Sequence, residues 1–203
     1  AGTDVTIQLG DTDLHSAVTG AAGGVGELMP VFEGGGHVAL EMNTDSLTAD
    51  LGNLAGATGD AAILQARGIT EINVDVSGDP SALDVTSLDS LVGADGASTT
   101  LLNNLQTAST DLAGHNIGLQ LEVGHIGPEA SALHITSAQA QTLISDGLSF
   151  VAHDNIAMDV AAGATHLSNS LKELEKLHVD AVAIAAGTDV TIQLGDTDLH
   201  SAV

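Results

Sequence analysis

The sequence predicts an α/β fold in which short parallel strands and helices alternate along an open βα solenoid. Three observations carry this expectation. Residues Ala1–Val18 (AGTDVTIQLGDTDLHSAV) recur unchanged as Ala186–Val203, an offset of 185 residues. Within that period, five short segments alternate apolar and polar residues, the pattern of a half-buried strand. Ala- and Leu-rich stretches with helical spacing lie between them. The chain therefore reads as one full tandem period, residues 1–185, followed by the opening of the next copy, residues 186–203.

The first strand is expected over Val5–Leu9 and the second over Val38–Met42. The third is Ile72–Val76, the fourth Leu119–Val123 and the fifth Ile156–Val160, and the pattern restarts at Val190–Leu194. The steps between them are 33, 34, 47, 37 and 34 residues, about five strand–helix units per period. The clearest helix is Leu167–Leu177, with leucines at 167, 171, 174 and 177 on one face and Glu173 placed to pair with Lys176. Ser137–Leu148 is a second, opened by a Thr136 or Ser137 cap and stopped near Gly147. Leu101–Leu112, Ser46–Leu54 and Ser87–Leu91 begin comparable runs. The first unit is the poorest in helix signal, because Gly20–Gly26, Pro30 and Gly34–Gly36 favour loops. A strand, a helix and a further strand at this spacing form a crossover unit, which makes successive strands parallel. A compact doubly wound domain and an open solenoid both satisfy that rule. The identical restart favours the solenoid, since the next strand can continue the sheet.

Composition narrows the function classes. The net charge is −24 with only Arg67, Lys172 and Lys176 positive, which opposes binding to nucleic acid or anionic membrane. Hydrophobic residues make up 43% of the chain, enough for a core, but Phe32 and Phe150 are the only aromatics. The Tyr, Trp and Arg anchors of ordinary recognition patches are nearly absent. Cysteine is absent, so stability must come from packing or metal ions. No apolar stretch is long enough to span a bilayer, and no signal peptide is visible, as expected for a window on a longer protein.

Aligning the five strands places Gln8, Glu41, Asp75, Glu122, Asp159 and Gln193 in one column. If the strands are in register, Glu41, Asp75, Glu122 and Asp159 line one face about 5 Å apart, a repulsion that a hard cation such as Ca²⁺ would relieve. A solvated outer face that keeps a fibre soluble is the competing reading. Turns after the strands add Asp11, Asp13 and Asp79 as further candidate calcium ligands, although turn formation or helix capping is the readier account of such residues. The nine histidines show no zinc-ligand spacing. Enzyme signatures are missing: there is no Cys, no G-x-S-x-G elbow, and Gly20–Gly26 is not followed by the Lys-Ser/Thr of a phosphate loop. The chain is therefore expected not to be an enzyme.

The stretch ITSAQAQTLISDGLSFVAHDNIAMDV and the following LSNSLKELEKLHVDAVAI resemble the repeat regions of giant acidic, type I-secreted (RTX, biofilm-adhesin-like) proteobacterial surface proteins. The shared cadence is S-x-x-Q-x-x-x-L-x-x-x-G-[LIV] before an Asp-bearing strand, matched here at Ser137, Gln141, Gly147 and Leu148 in part. The resemblance implies an extracellular or cell-surface structural or adhesive role. The G-G-x-G-x-D calcium nonapeptide of such proteins is absent from this stretch. The function expected is that of a stalk, filament or adhesin shaft whose partners are neighbouring repeats of the same chain. The alternatives are a self-assembling surface filament or layer, and a calcium- or carbohydrate-binding module repeated for avidity.

Overall fold

The computed structural model describes residues 5–8, 32–33, 37–42, 60–76, 88–124, 132–165, 167 and 169–191. Period-two alternation sends Ile72, Val74 and Val76 of one strand, and Leu119, Leu121 and Val123 of its neighbour, into a common core where all six are buried. The elements in chain order are β1 (Val5–Gln8), β2 (Val38–Met42), α1 (Asp60–Ala66), β3 (Glu71–Asp75), α2 (Thr100–Gly114), β4 (Gly118–Glu122), β5 (Leu133–Thr136), α3 (Ser137–Ser145), β6 (Ser149–Phe150), β7 (Ile156–Val160), α4 (Leu171–Lys176) and β8 (Ala181–Ile184).

Among the described residues the strands form two sheets, and every pairing within them is parallel. One has the order β1-β2-β3-β4-β6 and the other β5-β7-β8. In both, spatial order equals chain order, so strands are added in one direction with no reversal. A doubly wound sheet has a reversal point by construction. The α/β class and the parallel pairing agree with the sequence. The fifth expected strand, Ile156–Val160, lies in the second sheet rather than continuing the first. β5, β6 and β8 were not anticipated. β6 has only two residues, too few for alternation to show, and β8 (AVAI) has no polar residue to alternate. β3 and β4 each begin one residue before the alternating pentad, at Glu71 and Gly118.

Helices α3 and α4 fall within the expected stretches and α2 extends past Leu101–Leu112 at both ends, with side-chain caps at Thr99, Thr136 and Ser170. Thr136 and Ser170 form full capping boxes with Gln139 and Glu173. Helix α4 starts later than the leucine spacing suggests, because Ser170 holds its first turn. Residues 88–91 form a turn and not a helix: an antiparallel bridge between Val92 and Ser98 closes the segment within a few residues. The run expected over 46–54 lies outside the described residues, as do Gly20–Gly26 and Gly34–Gly36. Of the restart at 190–194, only Val190 and Thr191 are described, and the Thr191 N–H donates to the Thr165 carbonyl at 2.9 Å.

The four helices among the described residues all end the same way. Gly68, Asn116, Gly147 and His178 take a left-handed conformation. The next residue then returns its N–H to a carbonyl five residues back: Ile69 to Leu64, Ile117 to Leu112, Leu148 to Leu143 and Val179 to Leu174, at 3.0–3.1 Å. This is the Schellman ending, with its apolar pair across the cap. Leu64, Leu112, Leu143 and Leu174 are all buried, so each cap also anchors its helix in the core. The core is continuous through both sheets, from Leu40 through Leu105 and Phe150 to Leu177.

Polar bonds stitch neighbouring units together. The Gln139 side-chain amide donates to the Asp89 carboxylate and the Val92 carbonyl, both at 2.8 Å. Thr136 and Thr142 hydroxyls donate to the Ala94 and Gly96 carbonyls, both at 2.9 Å.

Candidate functional site

The face of the five-stranded sheet opposite the core carries its polar side chains. Alternation puts Glu71, Asn73 and Asp75 of β3 there, with Gln120 and Glu122 of β4 and Glu41 of β2. Register then decides which of them meet. Gln8 pairs with Glu41 in backbone register, as the sequence alignment implies. Glu41 does not meet Asp75; it lies opposite Asn73, which in turn lies opposite Gln120. Asp75 does lie opposite Glu122. Asp159 is in the other sheet, opposite Thr136 and Ala183. The single column of carboxylates is thus divided. A two-residue slip between β2 and β3 moves Glu41 down one rung, and the change of sheet removes Asp159. Asp11, Asp13 and Asp79 lie outside the described residues.

The face is less exposed than a solvated coat would be. Side chains of Glu71 and Glu122 are each only 15% exposed, and Asn73 is 8% exposed. Burial pushes the Glu122 carboxyl above its ordinary 4.5, and the negative charge of Glu41 adds to the rise. A hydrogen bond from His153 opposes it, and Asp75 adds a further upward push. No Lys or Arg is among the causes that act on this carboxyl. The buried Oδ1 of Asn73 has no hydrogen-bond partner. That is unusual for a buried amide oxygen.

Three histidines bridge neighbouring strands to carboxylates. His37 Nε2 is 3.2 Å from Glu71, His153 Nε2 is 3.5 Å from Glu122, and His134 Nδ1 is 2.7 Å from Asp159. His37 lies immediately before β2 and His153 in the turn before β7. The sequence offered no way to pair them, because each partner is contributed by a different unit. Among the described residues, no group of three or more His, Asp or Glu side chains could hold a metal ion, and no helix is long and apolar enough to cross a membrane.

The crowding at Glu122 has a measurable consequence. Its folded-state proton affinity is raised, so the folded chain binds more protons than the unfolded chain just above pH 4.5, and stability falls as pH rises through that window. Glu122→Gln keeps an acceptor for His153 and removes the charge. The expected result is a melting temperature higher by about 1–3 °C at pH 7, with the gain vanishing below the ordinary carboxylate range. Circular dichroism melts of both chains at pH 4 and pH 7 check this. An equal or lower melting temperature for the variant at pH 7 would contradict the repulsion.

Comparison of the chain with protein-family models, with curated proteins and with solved structures returns no match.

Proposed function

We propose that this chain is a repeat segment of a long secreted or cell-surface protein and that its work is mechanical. It forms part of a stalk, filament or adhesin shaft in which periods stack as a continuous βα solenoid, of the kind that supports adhesion or biofilm cohesion. The observation that carries this reading is the exact recurrence of Ala1–Val18 at Ala186–Val203. The sequence of β1 therefore recurs at 190–193, a few residues beyond the end of β8.

Two features support it. Strand order follows chain order in both sheets, and among the described residues nothing pairs with the outer edge of β1 or of β8. The large exposed hydrophobic residues among those described are Val5, on β1, and Ile184, on β8. Exposed apolar residues on open sheet edges are an aggregation hazard in an isolated domain. In a stacked array the neighbouring period covers them. The same edges would serve separate chains that join end to end, which favours a self-assembling filament as the second reading. The negative charge fits either role, since it keeps long parallel fibres apart.

Chains of one, two and three periods test the stacking. Repeats coupled through shared interfaces gain stability with number. Stacked periods are expected to melt in one transition whose midpoint climbs as periods are added. Independent domains would melt at the same temperature whatever their number, and that result would overturn the proposal.

A further inference from the structure

We infer that the seam between successive periods is made by the β1 sequence itself, with one edge seated on the segment at Thr165 of the preceding period and the other on β2 of its own. The partner is a second copy of this repeat. The inference deepens the shaft reading and rests on it for that second copy, whereas the seat at Thr165 belongs to the single chain.

One sequence uses opposite edges at its two occurrences. In β1 the Val5 N–H donates to the His37 carbonyl at 3.0 Å, and Val5 lies opposite Val38 in the parallel pair with β2. Backbone N–H groups alternate between the two edges of a strand, so the Thr6 N–H points away from β2. Among the described residues nothing pairs with that outer edge. Thr191 is Thr6 of the next copy, and its N–H donates to the Thr165 carbonyl at 2.9 Å. The edge that β1 leaves open at its first occurrence is therefore the edge taken at the second. The two pairings do not compete, and a copy inside an array makes both.

The route to the seat is built into the fold. β7 and β8 pair in step as far as Val160 and Ile184. Each then turns a corner of the same design. The Ala164 N–H returns to the Ala161 carbonyl at 3.0 Å, and the Thr188 N–H returns to the Ala185 carbonyl at 3.1 Å. Gly163 and Gly187 hold matching places at φ +83° and +80°, the left-handed third position that such a turn requires. Beyond the corners the two stretches are still in contact, through the bond between Thr191 and Thr165. The boundary between periods, Ala185 to Ala186, falls inside the second corner. A period thus ends in a hydrogen-bonded turn and not in a linker. That turn hands the next β1 to the chain beyond the β7 corner, not to the outer edge of β8. β2 of the next period then adds in the register of Val5 with Val38, and the parallel order continues across the join.

Amide hydrogen exchange of the 203-residue chain, followed by NMR, tests the seat. Thr6 and Thr191 have the same sequence neighbours on both sides, so their intrinsic exchange rates are equal and the difference reads structure alone. Val5 and Thr191 are each expected to be protected at least about tenfold more than Thr6 and Val190. In a chain with a second complete period, Val190 is expected to join Thr191 in protection, because β2 of that period supplies its acceptor. Thr191 exchanging as fast as Thr6 would overturn the seat, even in periods that melt together. Val190 exchanging as fast in the longer chain as in the shorter would overturn the two-sided seam. Protection of both amides in periods that melt independently would overturn the shaft reading and leave the seam standing.

Discussion

Phe150→Ala is expected to destabilise the chain by about 3–5 kcal/mol and to lower its melting temperature by about 10 °C. Phe150 is fully buried and is the bulkiest of the fully buried side chains. It belongs to the two-residue strand β6, whose hold on the sheet is slight in hydrogen bonds and so depends on what its side chain fills. Its backbone is also a junction: the Phe150 N–H donates to the Leu177 carbonyl, and the His178 ring bonds the Phe150 carbonyl. Alanine at 150 would leave a cavity in the continuous core to which Phe150 belongs. In a chain with two aromatics, no neighbouring large ring is at hand to collapse into it. Urea unfolding of the variant gives the number directly. A loss below about 1 kcal/mol would mean that the site repacks freely and that β6 is not a structural rung.

Gly68→Ala is expected to cost about 2–4 kcal/mol, more than its small change in size suggests. Gly68 ends α1 at φ +85°, a conformation that itself costs an L-residue about 1–2 kcal/mol. A Cβ at 68 would also run into the backbone carbonyl oxygen of Phe32, which cannot move aside because the Phe32 N–H is tied to the Arg67 carbonyl at 2.8 Å. Gly163 supplies the control. It has nearly the same φ, +83°, with open space where the methyl would go. Gly163→Ala should therefore show the conformational cost alone, about 1–2 kcal/mol. Equal losses in the two variants, measured by urea unfolding, would show that the close approach at Phe32 does not constrain the fold.

Much of the fold was legible because it rests on local pattern. Alternation located β1, β2 and β7, and gave β3 and β4 to within a residue, since one buried face per strand is enough to write apolar–polar order into five residues. The Thr136 or Ser137 cap marked the start of α3, whereas α4 begins at Leu171, four residues after the leucine spacing suggested. The helix ends were legible too, though differently from expected. The cadence L-x-x-x-G-[LIV] at Leu143–Leu148 is a Schellman cap, and it recurs as Leu64–Ile69, Leu112–Ile117 and Leu174–Val179 with Gly, Asn or His in the left-handed place. A search for that pattern would have found α1, which apolar spacing alone missed.

The functional face was less legible, for a physical reason. Which polar residues meet depends on register between strands 30 or more positions apart, as with Glu41 and Asn73. A one-column alignment of Glu41, Asp75, Glu122 and Asp159 assumes that every pair of neighbouring strands meets with its alternating pentads in line. β1–β2 and β3–β4 do, but β2 and β3 are slipped by two residues. The chain also passes to a second sheet at β5, and no single segment announces that switch. Asn73 takes a polar place of INVDV, and nothing in the sequence distinguishes it. Only its burial and its unpartnered oxygen set it apart.

The central claim is that successive 185-residue periods continue one stack, and small-angle X-ray scattering on chains of one, two and three periods tests it most directly. Five or six strand spacings per period give an expected increase in maximum dimension of about 24–29 Å for each added period. An increase of about 40 Å or more, the width of a compact domain of this length plus a linker, would contradict the account and make the array a string of separate domains.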